Sequence, residues 1–264
     1  MNNQKTVTHY NTDNRYEYRK EIYDTYVTQT ERPEALGYIQ EDYLSWSESA
    51  KIRLKNWLPD DLETPILDLG CGSGNFLYLL QELGYSNLTG VDFSQEQLSF
   101  AQKWCPNAKL IHDDAHNVLA NNPNSFGLVT GFDIIEHLGK EEQIPFLNLV
   151  FQSLRPGGRL ILQTPNAESP WMGSIGYSDF THEWFYTPRG LTEMLRRSGL
   201  IDCEARATGP YIHGIKSFFR VILWRMISAS LKLWNVAETG GKGSGIYTRI
   251  FIISASKPKT ILML

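Results

Sequence analysis

Between Pro65 and Asn166 the chain alternates short apolar runs with amphipathic stretches, and this alternation is what most limits its fold. "PILDLG" (65–70), "NLTGVDF" (87–93), "AKLIHDD" (108–114), "FGLVTGFDII" (126–135) and "RLILQTPN" (159–166) read as strands. "NFLYLLQELG" (75–84), "SQEQLSFAQKWC" (94–105, with Ser94 as N-cap) and "KEEQIPFLNLVFQSL" (140–154) read as helices, and "RPGG" as the turn after the last. Such an order implies right-handed crossovers and an α/β architecture with a mostly parallel sheet between helices. Upstream, residues 1–14 read as a loose polar tail and 15–57 as two or three helices ending at Pro59. Tyr23 and Tyr26 would share a helix face there. Downstream, 210–240 reads as a helical excursion and "YTRIFIISASKP" (247–258) as a final strand. The expected organisation is a tail and helical cap (1–57), a core (58–209), a helical insertion (210–245), and a closing strand with a C-terminal tail (246–264).

In an open parallel sheet, ligands sit beyond the carboxyl ends of the strands, where strand order reverses. The first strand ends at Asp68 and runs into Gly70, Gly72 and Gly74. Glycines there allow a tight turn and a close approach of ligand to backbone. A dinucleotide loop needs G-x-G-x-x-G, but Asn75 stands where that pattern would end, and Asp68 would repel a pyrophosphate. A cationic ligand without phosphate fits better, and S-adenosylmethionine is one. Asp68 could hold its ammonium. Asp92, closing the second strand, could accept from both ribose hydroxyls. Asp114 could accept from the adenine amino group, with Ala115 giving a backbone donor and Phe93 packing on the purine.

With these residues in view, the chain resembles the class I S-adenosylmethionine-dependent methyltransferases. The likeness rests on "ILDLGCGSGNF", "VDFS", "HDDAH", "FDIIEHL" and "LRPGGRLILQTPN". It implies a Rossmann-like seven-stranded sheet whose last strand runs antiparallel. It also implies cofactor contacts at Asp68, Gly70, Gly72, Gly74, Asp92 and Asp114, and Phe132 near the sulfonium.

Methyl transfer from such a donor asks the protein for alignment and, with a hydroxyl acceptor, for a base. "FDIIEHLGKEE" offers Asp133, Glu136 and His137, and "GYSDFTHEWFYTP" (176–188) offers Asp179, His182 and Glu183. His137 and His182 are the candidate catalytic residues. Glu136, His137 and His182 also form a mixed oxygen–nitrogen set suited to a divalent cation. The D-x-x-E-H pattern with a later His looks like the metal-assisted methyltransferases of RNA 2′-hydroxyls, although Asp133 stands where a glutamate is usual. The "TPN…FTHEWFYTP" stretch resembles bacterial methyltransferases of cell-surface glycans and of small molecules or quinones. The implied acceptor is a hydroxyl on a small molecule, sugar or lipid-linked glycan. N-methylation, or a cofactor-binding scaffold without activity, are the other readings.

A formal net charge of −4 on 264 residues argues against broad nucleic-acid binding. Three distant cysteines, no apolar leader and no long uncharged apolar run suit a reducing cytoplasm. In 210–236, Ile215, Phe218, Phe219, Ile222, Leu223 and Met226 share a wide apolar face, with four Lys/Arg and no acid between Pro210 and Val236. That helix could pack on the core, form a homodimer, or lie peripherally on the inner membrane surface.

Overall fold

The computed structural model describes residues 21–23 and 40–259. The expected polar tail and Tyr26 lie outside them. Helix α1 (Gln40–Arg53) precedes strand β1 (Ile66–Leu69). There follow α2 (Asn75–Glu82), β2 (Leu88–Asp92), α3 (Gln95–Trp104), β3 (Lys109–His112), α4 (Ala115–Ala120) and β4 (Phe126–Phe132). A 3₁₀ turn (Ile135–His137) leads to α5 (Lys140–Ser153), β5 (Leu154–Pro165), α6 (Met172–Gly176), α7 (Pro188–Arg197), β6 (Ile201–Ala207), α8 (Ile215–Thr239) and β7 (Ile250–Ser256).

The seven strands form one sheet in the order β3-β2-β1-β4-β5-β7-β6. β1 pairs in parallel with β2 and β4, while β7 runs antiparallel to β5 and β6. Strand order reverses between β1 and β4, so the ligand crevice of this topology lies over their carboxyl ends.

Alternation along the strands sends side chains to two cores. Leu67, Leu69, Val129, Leu160 and Leu162 meet Phe146, Leu147, Leu191 and Leu195 on one face. Ile66, Leu128 and Ile161 meet Leu54, Trp57, Leu77, Leu80 and Leu98 on the other. Trp57 is 2% exposed. It donates its indole N–H to Glu204 (3.0 Å) and lies under the Arg206 guanidinium, 3.9 Å from the ring centre. Arg206 also donates to the carbonyls of Arg53 and Lys55, satisfying groups that the end of α1 leaves open.

Several boundaries differ from the sequence reading. The helix expected to reach Pro59 stops at Arg53, because Asn56 takes a left-handed backbone (φ 67°). The fourth strand was expected to continue to residue 135 and ends at Phe132, because Asp133 turns left-handed (φ 55°). The expected "RPGG" turn is instead a bulged beginning of β5, in which Gly157 (φ 78°) donates to the carbonyl of Lys257. Helix α8 buries Ser217 and Val221 and leaves its wide apolar face outside. Packing of that face on the core is therefore excluded.

Candidate functional site

A cleft opens over the carboxyl ends of β1, β2 and β4. Gly70, Gly72, Asp92, Phe93, Asp114, Ala115, Asp133, His137 and Tyr23 all reach its wall. Gly70, Gly72 and Gly74 have φ of 64°, 52° and 86°, a region that side chains rarely adopt. At Gly72 a Cβ would meet only Gln97 Oε1, at 3.9 Å, so the missing side chain leaves room facing the cleft. At Gly74 a Cβ would lie 3.0 Å from that of Ala101, so that glycine serves the packing of α2 on α3.

The acids at the strand ends are held differently. Asp68 is 2% exposed and sits opposite Thr130 in the β1–β4 register. Thr130 donates its hydroxyl to Asp68 Oδ1 at 2.7 Å. Burial pushes the Asp68 carboxyl up to about 7, the Thr130 bond opposing and the Asp92 charge adding. Asp92 Oδ2 accepts from the Gly72 N–H and Oδ1 from the Ser94 N–H, both at 2.8 Å. Burial raises the Asp92 carboxyl, and the Ser94 and Gly72 bonds oppose it. Each oxygen keeps a lone pair for a ligand diol. Asp114 caps α4, accepting from the His116 N–H and bonding its ring Nδ1 at 2.7 Å. It is a helix cap that also lines the cleft.

Past β4 the chain reverses at Asp133, whose Oδ2 accepts from Gln163 at 2.8 Å. The 3₁₀ turn then presents Glu136 and His137. The insert after β5 is fastened to this turn: the N–H groups of Glu183 and Trp184 donate to the Glu136 carbonyl, and Tyr186 donates to that of Ile135. The rings of His137 and His182 lie 4.8 Å apart, centre to centre. One ligand atom each from Glu136, His137 and His182 fall within 4.8 Å of one another.

Both imidazoles are oriented through Nδ1. His182 Nδ1 lies 2.8 Å from the Gly176 carbonyl, which can only accept. His137 Nδ1 lies 2.9 Å from Thr181 Oγ1 and 3.3 Å from the Thr181 carbonyl. Thr181 gives its hydroxyl proton to Asp179 Oδ1 at 2.6 Å, so toward His137 it accepts. Each ring therefore carries its proton on Nδ1 and its lone pair on Nε2. Glu136 is fully buried, and Thr164 donates to its Oε2 at 3.0 Å. Its Oε1 has no hydrogen-bond partner among the described residues. Burial, reinforced by the Asp133 charge, holds the Glu136 carboxyl well above the usual range.

Asp68, Gly74, Phe132 and His182 stand back from the cleft wall. Asp68 lies beneath the glycine loop, and His182 stands behind His137. Strand alternation turns Phe132 onto Phe76, with ring centres 4.6 Å apart. Wall residues absent from the sequence reading include Gln97, Ile134 and Phe146. Gln97 is one helical turn past the Ser94 cap, a spacing that points it at the same end of the sheet. Ile134 and Phe146 carry no comparable signal.

A family model described as a methyltransferase domain matches residues 40–203. A ubiquinone biosynthesis O-methyltransferase of Roseobacter denitrificans is 29% identical over 183 residues, covering 63% of this chain and 73% of its own length. The mitochondrial protein of that description from Rattus norvegicus is 28% identical over 153 residues, or 51% of this chain and 44% of the rat protein. Among solved structures, a SAM dependent methyltransferase from Archaeoglobus fulgidus superposes with a TM-score of 0.60 at 24% identity, over 83% of this chain and 97% of that one. That likeness is one of fold.

Proposed function

From the premise that this chain belongs to the class I S-adenosylmethionine-dependent methyltransferases, we propose that it methylates a hydroxyl on a small molecule, sugar or lipid-linked glycan, with His137 as base. The observation that carries this reading is the tautomer of His137 at the cleft wall, fixed at Nδ1 by Thr181. The O-methyltransferase names of the relatives support a hydroxyl as acceptor.

The cleft suits S-adenosylmethionine in three respects. Gly72 leaves open space where a Cβ would intrude. Asp92 offers two anchored carboxylate oxygens, and Asp68 is a buried acid that a neighbouring cation would return to its charged form. When bound, this cofactor supplies a methyl group on a sulfonium, already activated for displacement. The chain's own residues then align the acceptor and remove its proton. Asp92 fixes the ribose, Asp114 and Ala115 bound the adenine side, and Tyr23 closes over Phe93 and His137, its ring 6.5 and 6.3 Å from theirs. His137 receives the hydroxyl proton at Nε2. The imidazolium is stabilised through Thr181 and Asp179, which makes both of them positioning residues.

A second reading is favoured by the unpartnered Oε1 of Glu136. Glu136, His137 and His182 offer one oxygen and two nitrogens, a donor set suited to a divalent cation that would acidify the acceptor hydroxyl. His137 would then be a ligand and not the base.

Calorimetric titration with S-adenosylhomocysteine, paired with turnover on a panel of hydroxylated quinones and glycans, tests both readings. Asp92→Ala is expected to weaken binding by about 10²-fold, since two charge-assisted bonds go. His137→Ala should keep binding and lose turnover. Thr181→Val should lower kcat with cofactor affinity unchanged, and Thr181→Ser should restore it. Chelation decides between base and cation. Turnover that survives EDTA supports the base. Turnover lost to EDTA and restored by Mn²⁺, with Mn²⁺ raising Tm in wild type but not in Glu136→Gln, supports the cation. Full activity in both His137→Ala and His182→Ala would defeat both.

A further inference from the structure

We propose that α8 is an interfacial docking helix that lays its outer face on anionic phospholipid. The helix joins the end of β6 to the start of β7. Ala207 pairs with Phe251, and Ile250 with Pro165 at the end of β5, so α8 sits at the same edge of the sheet as the cleft. Its inner stripe is narrow. Ser217 and Val221 are buried, and Trp224, Ser228, Leu231 and Asn235 are half-buried.

The outer side is apolar except for Ser230, whose hydroxyl donates back to the Met226 carbonyl. At about 100° per residue, an arc of roughly 140° carries Ile215, Phe218, Phe219, Ile222, Leu223, Met226 and Leu233. They are between 40% and 80% exposed. The four cations of the helix, all exposed, border this arc on both sides. Lys216 and Arg220 lie along one margin, Arg225 and Lys232 along the other. None of the four is in an ion pair with a described residue, and no acid occurs from Pro210 to Val236.

The charge pattern selects the occupant. An apolar band flanked by cations fits a bilayer surface, with the band among acyl chains and the margins at the phosphates. A two-fold interface between copies would bring these like-charged margins together, with Glu238 in the last turn the one carboxylate of α8 to meet four cations. Spanning is excluded for α8, because no helix among the described residues is apolar enough to cross a membrane. Tyr177 and Phe180, in the insert that follows the carboxyl end of β5, are 80% and 76% exposed.

The test is flotation of the full chain with two sets of vesicles. One is phosphatidylcholine alone, and the other is phosphatidylcholine with phosphatidylglycerol at three to one. Co-flotation is expected with the second set only, weakening as sodium chloride screens the margins. Arg225→Gln and Lys232→Gln should each reduce binding about fivefold. Phe219→Glu with Met226→Glu should abolish it while leaving Tm unchanged, since both sites are exposed. Failure to float with the anionic vesicles would overturn the proposal, as would undiminished flotation of the double glutamate variant. Light scattering that shows a dimer dispersed by that variant, with no lipid binding by wild type, would overturn it in favour of a second copy. None of these outcomes depends on methyl transfer.

Discussion

Asp68 is almost wholly buried, so its ionisation would respond strongly to a cation bound beside it. Burial makes the folded protein hold a proton that an open chain releases near 3.8. A carboxyl raised in this way stabilises the folded state fully below that value. The contribution is lost as pH climbs to about 7. Binding has the opposite sign: an ammonium needs the carboxylate, so affinity for S-adenosylhomocysteine should fall as pH drops below about 7 and level off above it. Titrations at pH 6 in buffers of different ionisation heat should reveal proton release on binding, and Asp68→Asn should remove both the release and the slope. Absence of proton release at pH 6 in wild type would show that Asp68 does not meet the cation.

The glycine loop and the strands around it separate two kinds of glycine that look alike in sequence. Replacing either Gly72 or Gly74 by alanine forces a left-handed backbone, at about 1–2 kcal/mol. Gly74→Ala also drives a methyl into Ala101, adding about 1–3 kcal/mol. Urea unfolding should therefore show the larger loss for Gly74→Ala, while Gly72→Ala should lose more cofactor affinity. The strands on either side of this loop were legible because they are short apolar runs cut by Gly or Asp, buried on both faces in the case of β1. β6 was not: "IDCEARA" alternates apolar and polar residues, but its apolar positions after Ile201 are the small Cys203, Ala205 and Ala207, and Ile201 itself is exposed at the sheet edge. The start of α7 does carry a signal, with Thr187 as cap and Pro188 in the first turn, but only Leu191, Met194 and Leu195 give it a stripe. Glu136, His137 and His182 could be named from sequence as a set. Their closeness could not, because it depends on bonds between the 3₁₀ turn and an irregular insert.

Across the fold, the segment before β1 is joined to the edge strand β6. Trp57 links the segment before β1 to Glu204 and Arg206 of β6. Trp57→Ala should cost about 3–5 kcal/mol in global stability by urea denaturation, because it leaves a cavity and removes the ring beneath the half-buried Arg206 guanidinium. A loss under 1 kcal/mol would mean that this edge is dispensable. The fastening of the insert to the 3₁₀ turn has a consequence in time. β1 and its glycine loop emerge early in synthesis, whereas Thr181 and Asp179 follow more than 100 residues later. A nascent chain could therefore house a reactive alkyl donor before anything orients its proton acceptor. On the reading with His137 as base, proton removal waits until the insert has docked on the 3₁₀ turn.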